Sequence, residues 1–458
     1  MANPLDNIRL ENLRVMYFIG IGGIGMSALA RYYNKRGVRV YGYDRTETSL
    51  TKTLVNEGMT IHYQEDLNQI PEGVDLVIYT PAVPDTHAEL AFFRKLGYPV
   101  LKRAALLGLI SRHSKTIAIA GTHGKTTTST MLTHLLRVGG VDCTAFLGGI
   151  SKNYGSNYVS GESDWVVAEA DEYDRSFLHL RPYVAAILSI DPDHLDIYGD
   201  HASMLDSGFG AFAGQVQETL FMHSQIEEPL SGGRQTIKVG SGDHPGIRVE
   251  QVIIKDGTFH FDLVVDEQRL EQLALGLPGR HNVENAAVAS AIALQAGVSP
   301  ADLRKGLASF SGILRRFDRL INDPKVAYID DYAHHPTELT AAIEAARDLY
   351  PGRKITGIFQ PHLYSRTQDF QKGFAKALDL LDETILLDIY PARELPIPGV
   401  ESGIVLERMK NEKKQWLAKE EVMTWLANHD TDVLLTLGAG DIDTLVEPIK
   451  ALLVQKYL

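Results

Sequence analysis

Two glycine-rich loops, each entered from a short apolar strand and each leading into a helical stretch, are the strongest constraint on how this 458-residue chain folds. Strand, tight turn and helix in that order open a βαβ unit, and repetition of the pattern commits a chain to parallel sheets covered by helices. Short β-branched runs alternate with helical patterns along the whole length, so the fold class is α/β. At about 100–200 residues per domain the length allows two to four domains.

The strand runs fall into three blocks. The first, residues 1–110, holds Val15–Ile19, Val38–Tyr43 and Leu76–Tyr79. The second, residues 111–312, opens with Thr116–Ala120, continues through Trp165–Ala168 and Val184–Leu188, and carries a more polar β-rich insertion at roughly 215–275 with turn signals at Ser231-Gly232-Gly233 and Asp256-Gly257. The third, residues 313–458, has strand runs at Val326–Ile329, Ile355–Phe359, Thr384–Leu387 and Val433–Thr436.

Composition narrows the function classes. A hydrophobic fraction of 44% and a charged fraction of 22% are those of an ordinary folded protein. A net charge of -13 argues against nucleic acid as a partner, since phosphate backbones are held by clustered Lys and Arg. The single cysteine, Cys143, forms no internal disulfide and no multi-cysteine metal site; it fits a reducing compartment and reads as a small buried hydrophobe. Asp6, Arg9 and Glu11 interrupt the N-terminal apolar residues, and no run approaches the ~20 residues of a membrane span, so the expectation is a cytoplasmic protein without a membrane partner. Oligomeric state is not legible.

The first loop is Gly20-Ile21-Gly22-Gly23-Ile24-Gly25, a GxGxxG pattern. Gly20, Gly22, Gly23 and Gly25 would let backbone approach a diphosphate, whose charge is met by the N–H groups and dipole of the following helix. Asp44 closes the second strand, where dinucleotide enzymes hold a ribose hydroxyl. Taken alone, this block reads as the cofactor domain of an NAD-dependent dehydrogenase.

The second loop, Gly121-Thr122-His123-Gly124-Lys125-Thr126-Thr127-Thr128, adds a lysine and hydroxyls. Its backbone can cradle a triphosphate, Lys125 can reach the terminal phosphates, and the Thr126 hydroxyl can coordinate magnesium. Ile119 stands where the common phosphate-loop pattern has its first glycine. The next apolar strand runs into Glu169, with Asp171 and Glu172 behind it, and Glu169 is the acid best placed for the nucleotide's magnesium. His194, in Asp193-His194-Leu195-Asp196, falls on the same sheet edge and is a candidate metal ligand or a structural loop histidine.

Together GTHGKTTT at 121–128, EADE at 169–172 and DHLD at 193–196 resemble the ATP-dependent ligase family that builds the peptide of bacterial cell-wall precursors, the Mur ligases. GRHNVENA at 279–286, RRFD at 315–318, DDYAHHPTE at 330–338 and PHLYSRT at 361–367 extend the resemblance over nearly the whole chain. It implies a Rossmann-like N-terminal domain for a UDP-sugar, a central P-loop ATPase domain and a Rossmann-like C-terminal domain for an amino acid. It also implies that the first loop receives the diphosphate of a UDP-sugar rather than of NAD.

The motifs most similar within the family imply the substrates UDP-N-acetylmuramate, L-alanine and ATP, with Mg2+. The lactyl carboxylate would be activated by ATP as an acyl phosphate, and the amine would displace phosphate. Lys125, Glu169, His194 and Arg316 would then be catalytic. Thr126, Glu169 and His194 would hold metal, and Asn282, Asn285 and Asp331 would join the second loop at ATP. His362 and Arg366 would hold the amino acid's carboxylate, although Leu363 stands where some relatives have a second basic residue.

Helix capping or packing is the plainer alternative for Asn282 and Asp331, and surface charge for Arg316. No lysine lies between Lys152 and Lys238, so the carbamylated lysine of several sister ligases is not expected. A sister ligase for another amino acid or a peptide, a dehydrogenase and a noncatalytic nucleotide-binding scaffold are the competing readings.

Overall fold

The computed structural model describes residues 10–193, 195–266, 268–392 and 394–458. Two compact units emerge: Met1–Arg248 with Ala287–Gly306, and Val249–Ala286 with Leu307–Leu458.

The first unit opens with β1 (Val15–Ile19), β2 (Arg39–Tyr43), β3 (Thr60–His62), β4 (Leu76–Tyr79) and β5 (Val100–Lys102), in the order β3-β2-β1-β4-β5. All pairs are parallel. The run VMYFI of β1 is buried throughout, as a strand covered on both faces must be. The chain leaves β1 toward β2 on one side and returns as β4 on the other, which opens a crevice beyond the carboxyl end of β1. The first glycine loop lies there, followed by α1 (Ile24–Lys35).

The same unit contains β6 (Lys115–Ala120), β7 (Thr144–Ser151), β8 (Ser156–Val159), β9 (Trp165–Ala170), β10 (Val184–Ile187), β11 (Thr219–His223) and β12 (Gln235–Ser241), in the order β12-β11-β10-β6-β9-β7-β8. Only the β7–β8 pair among these is antiparallel. This corrects the sequence expectation of an insertion at 215–275. The apolar run TLFMH of β11 pairs parallel to β10, and β12 pairs parallel to β11, so both extend the central sheet. Of the turn signals behind that expectation, Ser231-Gly232-Gly233 lies in the connection between β11 and β12, and Asp256-Gly257 follows Ile247–Lys255, a strand with exposed polar positions.

Helix α2 (Arg103–Ser111) joins the two sheets. Every residue from Ala104 to Ser111 is buried, as expected of a helix apolar all round. Ser111 Oγ accepts from Arg181 N at 3.0 Å, and a Cβ on Gly108 would lie 2.6 Å from the carbonyl oxygen of His179. Asn157 of β8 ties in the start of α1, its Nδ2 donating to Ile24 O at 2.5 Å and to Ser27 Oγ at 2.9 Å. Cys143 is fully buried, and burial pushes its thiol up to about 12, in keeping with an inert packing residue.

The division between the units falls in β13 (Ile247–Lys255) and in a helix, α4 (Arg280–Gln295). In the second unit β14 (Thr258–Val265) and β15 (Gln268–Leu275) pair antiparallel. Its other sheet comprises β16 (Asp318–Asn322), β17 (Ala327–Asp331), β18 (Ile355–Phe359), β19 (Glu383–Leu386), β20 (Lys414–Trp416) and β21 (Val433–Leu437), in the order β16-β17-β21-β18-β19-β20. All its pairs are parallel except β16–β17. Helices α5 (Pro336–Leu349) and α6 (Tyr364–Leu378) follow β17 and β18. Among the described residues no helix is long and apolar enough to cross a membrane.

The close approach of Gly108 to backbone yields a test of the α2 packing. Gly108→Val should destabilise the protein by about 1–3 kcal/mol despite valine's better helix propensity, because the contacting carbonyl oxygen has no side-chain freedom with which to yield. A melting temperature equal to or above that of the parent would show the packing to be looser than described.

Candidate active site

β6 ends at Ala120, and the chain turns through Gly121, whose φ of 133° favours glycine, and Gly124, whose φ of 81° starts helix α3 (Lys125–Val138). A Cβ on Gly121 would lie 2.8 Å from the backbone nitrogen of Ser189. Because β6 is flanked by β9 and β10 in parallel, the segments leaving those strands arrive beside the loop. Ser189 supports it from the β10 side: its Oγ lies 2.9 Å from Thr122 Oγ1 and accepts from His123 N at 2.8 Å. Thr122 Oγ1 in turn accepts from Asp191 N at 3.1 Å, and His123 Nε2 lies 3.1 Å from Asp191 Oδ2.

From the β9 side come the acids. Glu169 is the penultimate residue of β9 rather than the residue after it, paired in register with Ile119. Its Oε1 accepts from Gly148 N at 2.8 Å and from Ser129 Oγ at 3.3 Å, and a Cβ on Gly148 would collide with its carboxylate. Lys125 is held by Glu172: Nζ lies 2.8 Å from Oε2 and 3.0 Å from Oε1, and it also donates to Gly121 O at 2.6 Å. Burial works against the Lys125 ammonium, but the charges of Glu172, Asp171 and Glu169 outweigh it and raise its pKa. Glu172 is 1% exposed, so this is a buried pair, and separating it without a replacement anion would be costly.

Sequence reasoning singled out Glu169 and passed over Glu172. Glu169 ended an apolar run, whereas Glu172 looked like one more carboxylate of an acidic stretch. Ser189 and Asp191 carried no signal, since their contacts depend on the β6–β10 pairing. Thr126 and Thr127 are buried on the first turn of α3, and His194 lies outside the described residues. Among the described residues no cluster of three or more His, Cys, Asp or Glu side chains is arranged to hold a metal ion.

At the first glycine loop, Gly20 has a φ of 84° and a Cβ there would lie 2.7 Å from Thr80 Cγ2, across the crevice between β1 and β4. Gly20 N and Ile21 N donate to Tyr43 O. Asp44, expected at a ribose, accepts from Gly22 N at 2.7 Å and from Thr46 N at 3.1 Å, so in this structure it shapes the loop itself. Gly23 is the N-cap of α1 and offers no side-chain cap to its first turn. A Cβ on Gly25 would lie 2.7 Å from Arg103 Nη1.

The remaining candidates belong to the second unit. Asn285 Nδ2 donates to Asn282 Oδ1 at 3.3 Å, and Asn282 Nδ2 donates to Pro278 O at 2.5 Å, so Asn282 braces the entry to α4. Parallel pairing of β17, β21 and β18 aligns their carboxyl ends, and there stand Asp331, Gly438 and Gln360. Asp331 is the last residue of β17 and accepts from Phe317 N at 2.6 Å and Ala333 N at 2.8 Å. Burial pushes it up to about 7, against Arg316 and the two N–H donors, with Glu338 adding to the rise. The cap of α5 is His335, which accepts from Thr337 N, and not Asp331.

Arg316 approaches Glu338 at 3.9 Å and lies 4.9 Å over the Tyr332 ring, while its neighbour Arg315 pairs with the buried Asp330 at 3.1 Å. Arg315 and Phe317, on either side of Arg316, both have positive φ. His362 stacks on Tyr390 with ring centroids 5.8 Å apart, and Arg366 is buried on the first turn of α6. Leu363 between them has a φ of 70°, a conformation that costs a branched side chain energy and gathers at functional turns.

Comparison with known proteins accounts for this assembly of parts. Residues 15–115 match the model described as Mur ligase family, catalytic domain, residues 119–293 the Mur ligase middle domain, and residues 315–440 the Mur ligase, glutamate ligase domain. The chain is 49% identical over 450 residues to a UDP-N-acetylmuramate--L-alanine ligase of Porphyromonas gingivalis, covering 96% of this chain and 98% of that one. It is 45% identical to the protein of the same name from Cytophaga hutchinsonii, covering 98% and 99%. The crystal structure of the UDP-N-acetylmuramate-alanine ligase of Thermotoga maritima superposes with a TM-score of 0.81 at 30% identity, covering 95% of this chain and 99% of that one. Three domain models in succession and end-to-end similarity leave no place for a dehydrogenase: the chain belongs to the Mur ligase family.

Proposed function

We propose that this protein joins L-alanine to the lactyl carboxylate of UDP-N-acetylmuramate at the expense of ATP, a step in peptidoglycan precursor synthesis in the cytoplasm. The observation that carries the reading is the 49% identity, over nearly the whole of both chains, to a relative bearing that activity's name. We take the domains as 1–110 for the UDP-sugar, 111–312 for ATP and 313–458 for the amino acid.

A carboxylate is a poor electrophile, and an amine does not displace oxide from it. Transfer of the γ-phosphoryl group from ATP makes an acyl phosphate; the amine of L-alanine then attacks the carbonyl carbon, the C–O bond to phosphate breaks, and ADP, phosphate and the amide remain. Lys125 and the loop backbone from Gly121 to Thr127 supply fixed positive charge where the phosphoryl group carries its negative charge. Glu172 pairs with Lys125, so the phosphates of ATP compete with a carboxylate for this ammonium.

The donor set fits magnesium. Glu169 is held by Gly148 N and Ser129 Oγ beside the start of α3, and the Thr126 hydroxyl stands on the same turn as Ser129. These are hard oxygen ligands and few in number, as suits an ion that retains waters and takes the rest of its shell from phosphates. We assign Thr126 and Glu169 to one ion and His194 to a second. Magnesium, when bound, neutralises charge on the phosphoryl oxygens.

Asn282 and Asn285, Arg316 and Asp331 are assigned to ATP, with Arg316 directed at its phosphates and Asp331 at its ribose. His362 and Arg366 are assigned to the carboxylate of L-alanine, which a guanidinium grips with two parallel bonds. Gly20, Gly22, Gly23, Gly25 and Asp44 are assigned to the UDP-sugar.

The deciding experiment measures phosphate release from ATP with UDP-N-acetylmuramate and each amino acid in turn. L-alanine should give the highest kcat/KM, with ADP and phosphate as products. A preference for another amino acid would identify a sister ligase, and AMP with pyrophosphate would overturn the acyl phosphate.

Replacing Lys125 by Ala should lower kcat by about 100-fold or more, the usual consequence of losing a preorganised charge-stabilising donor. Turnover near that of the parent would remove Lys125 from the mechanism.

Asp331 predicts a pH effect on stability. Its carboxyl titrates near 7 in the fold against an ordinary value of 3.8, so across that interval the folded state keeps a proton that the unfolded chain has lost. Stability therefore falls as pH rises through the interval. Asp331→Asn should remove that fall, so that the urea midpoint of the variant gains on the parent between about pH 4 and 7. Parallel pH profiles for the two proteins would contradict the assignment of the buried proton.

A further inference from the structure

Arg103, in the first unit, lies between the first glycine loop and the acid segment that follows β9, and it has no role in the assignments above. Arg103 opens α2 immediately after β5, and its guanidinium lies over the first turn of α1, where a Cβ on Gly25 would be only 2.7 Å from Nη1. That turn is the positive end of a twelve-residue helix whose N-cap, Gly23, supplies no side-chain acceptor. A cation there is electrostatically misplaced unless an anion joins it, because helix dipole and guanidinium repel. Asp171 approaches Arg103 Nη2 through Oδ2 at 3.6 Å, an ion-pair distance longer than a good hydrogen bond.

Asp171 belongs to the acid segment that also provides Glu169 and Glu172 beside the second loop. The neighbouring pair repeats the pattern: Lys102 Nζ lies 2.8 Å from Asp174 Oδ2, and Asp174 has a φ of 52°. Two successive basic residues at the start of α2 thus meet two acids of the loop that follows β9. The pair involving Arg103 is the looser of the two, and Arg103 is the residue that overlies the glycine loop.

We infer that Arg103 is a shared cation, for which Asp171 and the diphosphate of a sugar nucleotide bound at the first glycine loop compete. This rests on the assignment of that loop to a UDP-sugar. A diphosphate seated on the N–H groups of the α1 first turn would lie under the guanidinium and form charge-assisted hydrogen bonds, which are shorter and stronger than the contact with Asp171. Asp171 is then a competitor for Arg103, and its removal strengthens the diphosphate site. Gly25 acquires a reason of its own, since any side chain there would displace the guanidinium.

The test is calorimetric binding of UDP-N-acetylmuramate, UDP and uridine to the full-length protein without ATP. Arg103→Gln should weaken UDP-N-acetylmuramate and UDP by roughly 10- to 100-fold, the range of a hydrogen bond to a charged group, and leave uridine unchanged. Arg103→Lys should recover part of the loss, since a point charge remains but the planar fork does not. Asp171→Asn should tighten UDP by about 2- to 5-fold, the scale of a partly exposed ion pair. Equal losses for uridine and UDP in Arg103→Gln would mean a general distortion of the domain and overturn the inference, as would unchanged UDP binding. Weaker UDP binding in Asp171→Asn would overturn the competition. If the parent protein binds UDP but not UDP-N-acetylmuramate, the proposed substrate fails while the role of Arg103 is still decided by UDP against uridine.

Discussion

Parallel pairing is the constraint on which the site depends. Strands that run the same way end at the same edge, so every loop leaving a carboxyl end is delivered to a common line. In the first unit β6 lies between β9 and β10, and the glycine loop after β6 therefore receives Glu169 and Glu172 from one side and Ser189 and Asp191 from the other. In the second unit β17, β21 and β18 bring Asp331, Gly438 and Gln360 to one edge by the same rule. No loop has to be long to achieve this, because the sheet has already done the positioning.

Charge is handled by substitution rather than by neutral surroundings. Lys125 is paired with Glu172, Arg103 with Asp171, Lys102 with Asp174 and Arg315 with Asp330. An empty phosphate site full of unpaired cations would repel itself and destabilise the loops that shape it. Carboxylates within the protein hold those cations in place.

The two glycine loops also differ in how they are stiffened. The second is strapped from outside by Ser189, whose hydroxyl meets Thr122 and His123. The first is shaped by Asp44, which accepts from Gly22 N, and by the Tyr43 carbonyl, both at the end of the adjacent strand β2. In each case a residue from a neighbouring strand end fixes backbone that glycine alone would leave free.

Much of this was legible in the sequence. The α/β class follows from strand and helix periodicities that are local, and the two glycine loops follow from glycines whose spacing only makes sense after a strand and before a helix. Lys125 and Glu169 stood out in the sequence because each sits at a fixed offset from such a boundary. What only the tertiary structure decided were the partners. Glu172 holds Lys125, β11 and β12 belong to the central sheet rather than to an insertion, Asp44 grips the first loop, and Arg103 lies over Gly25. A sequence determines its own periodicity within a few residues along the chain. Contacts between residues tens of positions apart depend on strand order, and strand order is set by how whole layers bury their apolar faces, a property that no local pattern contains.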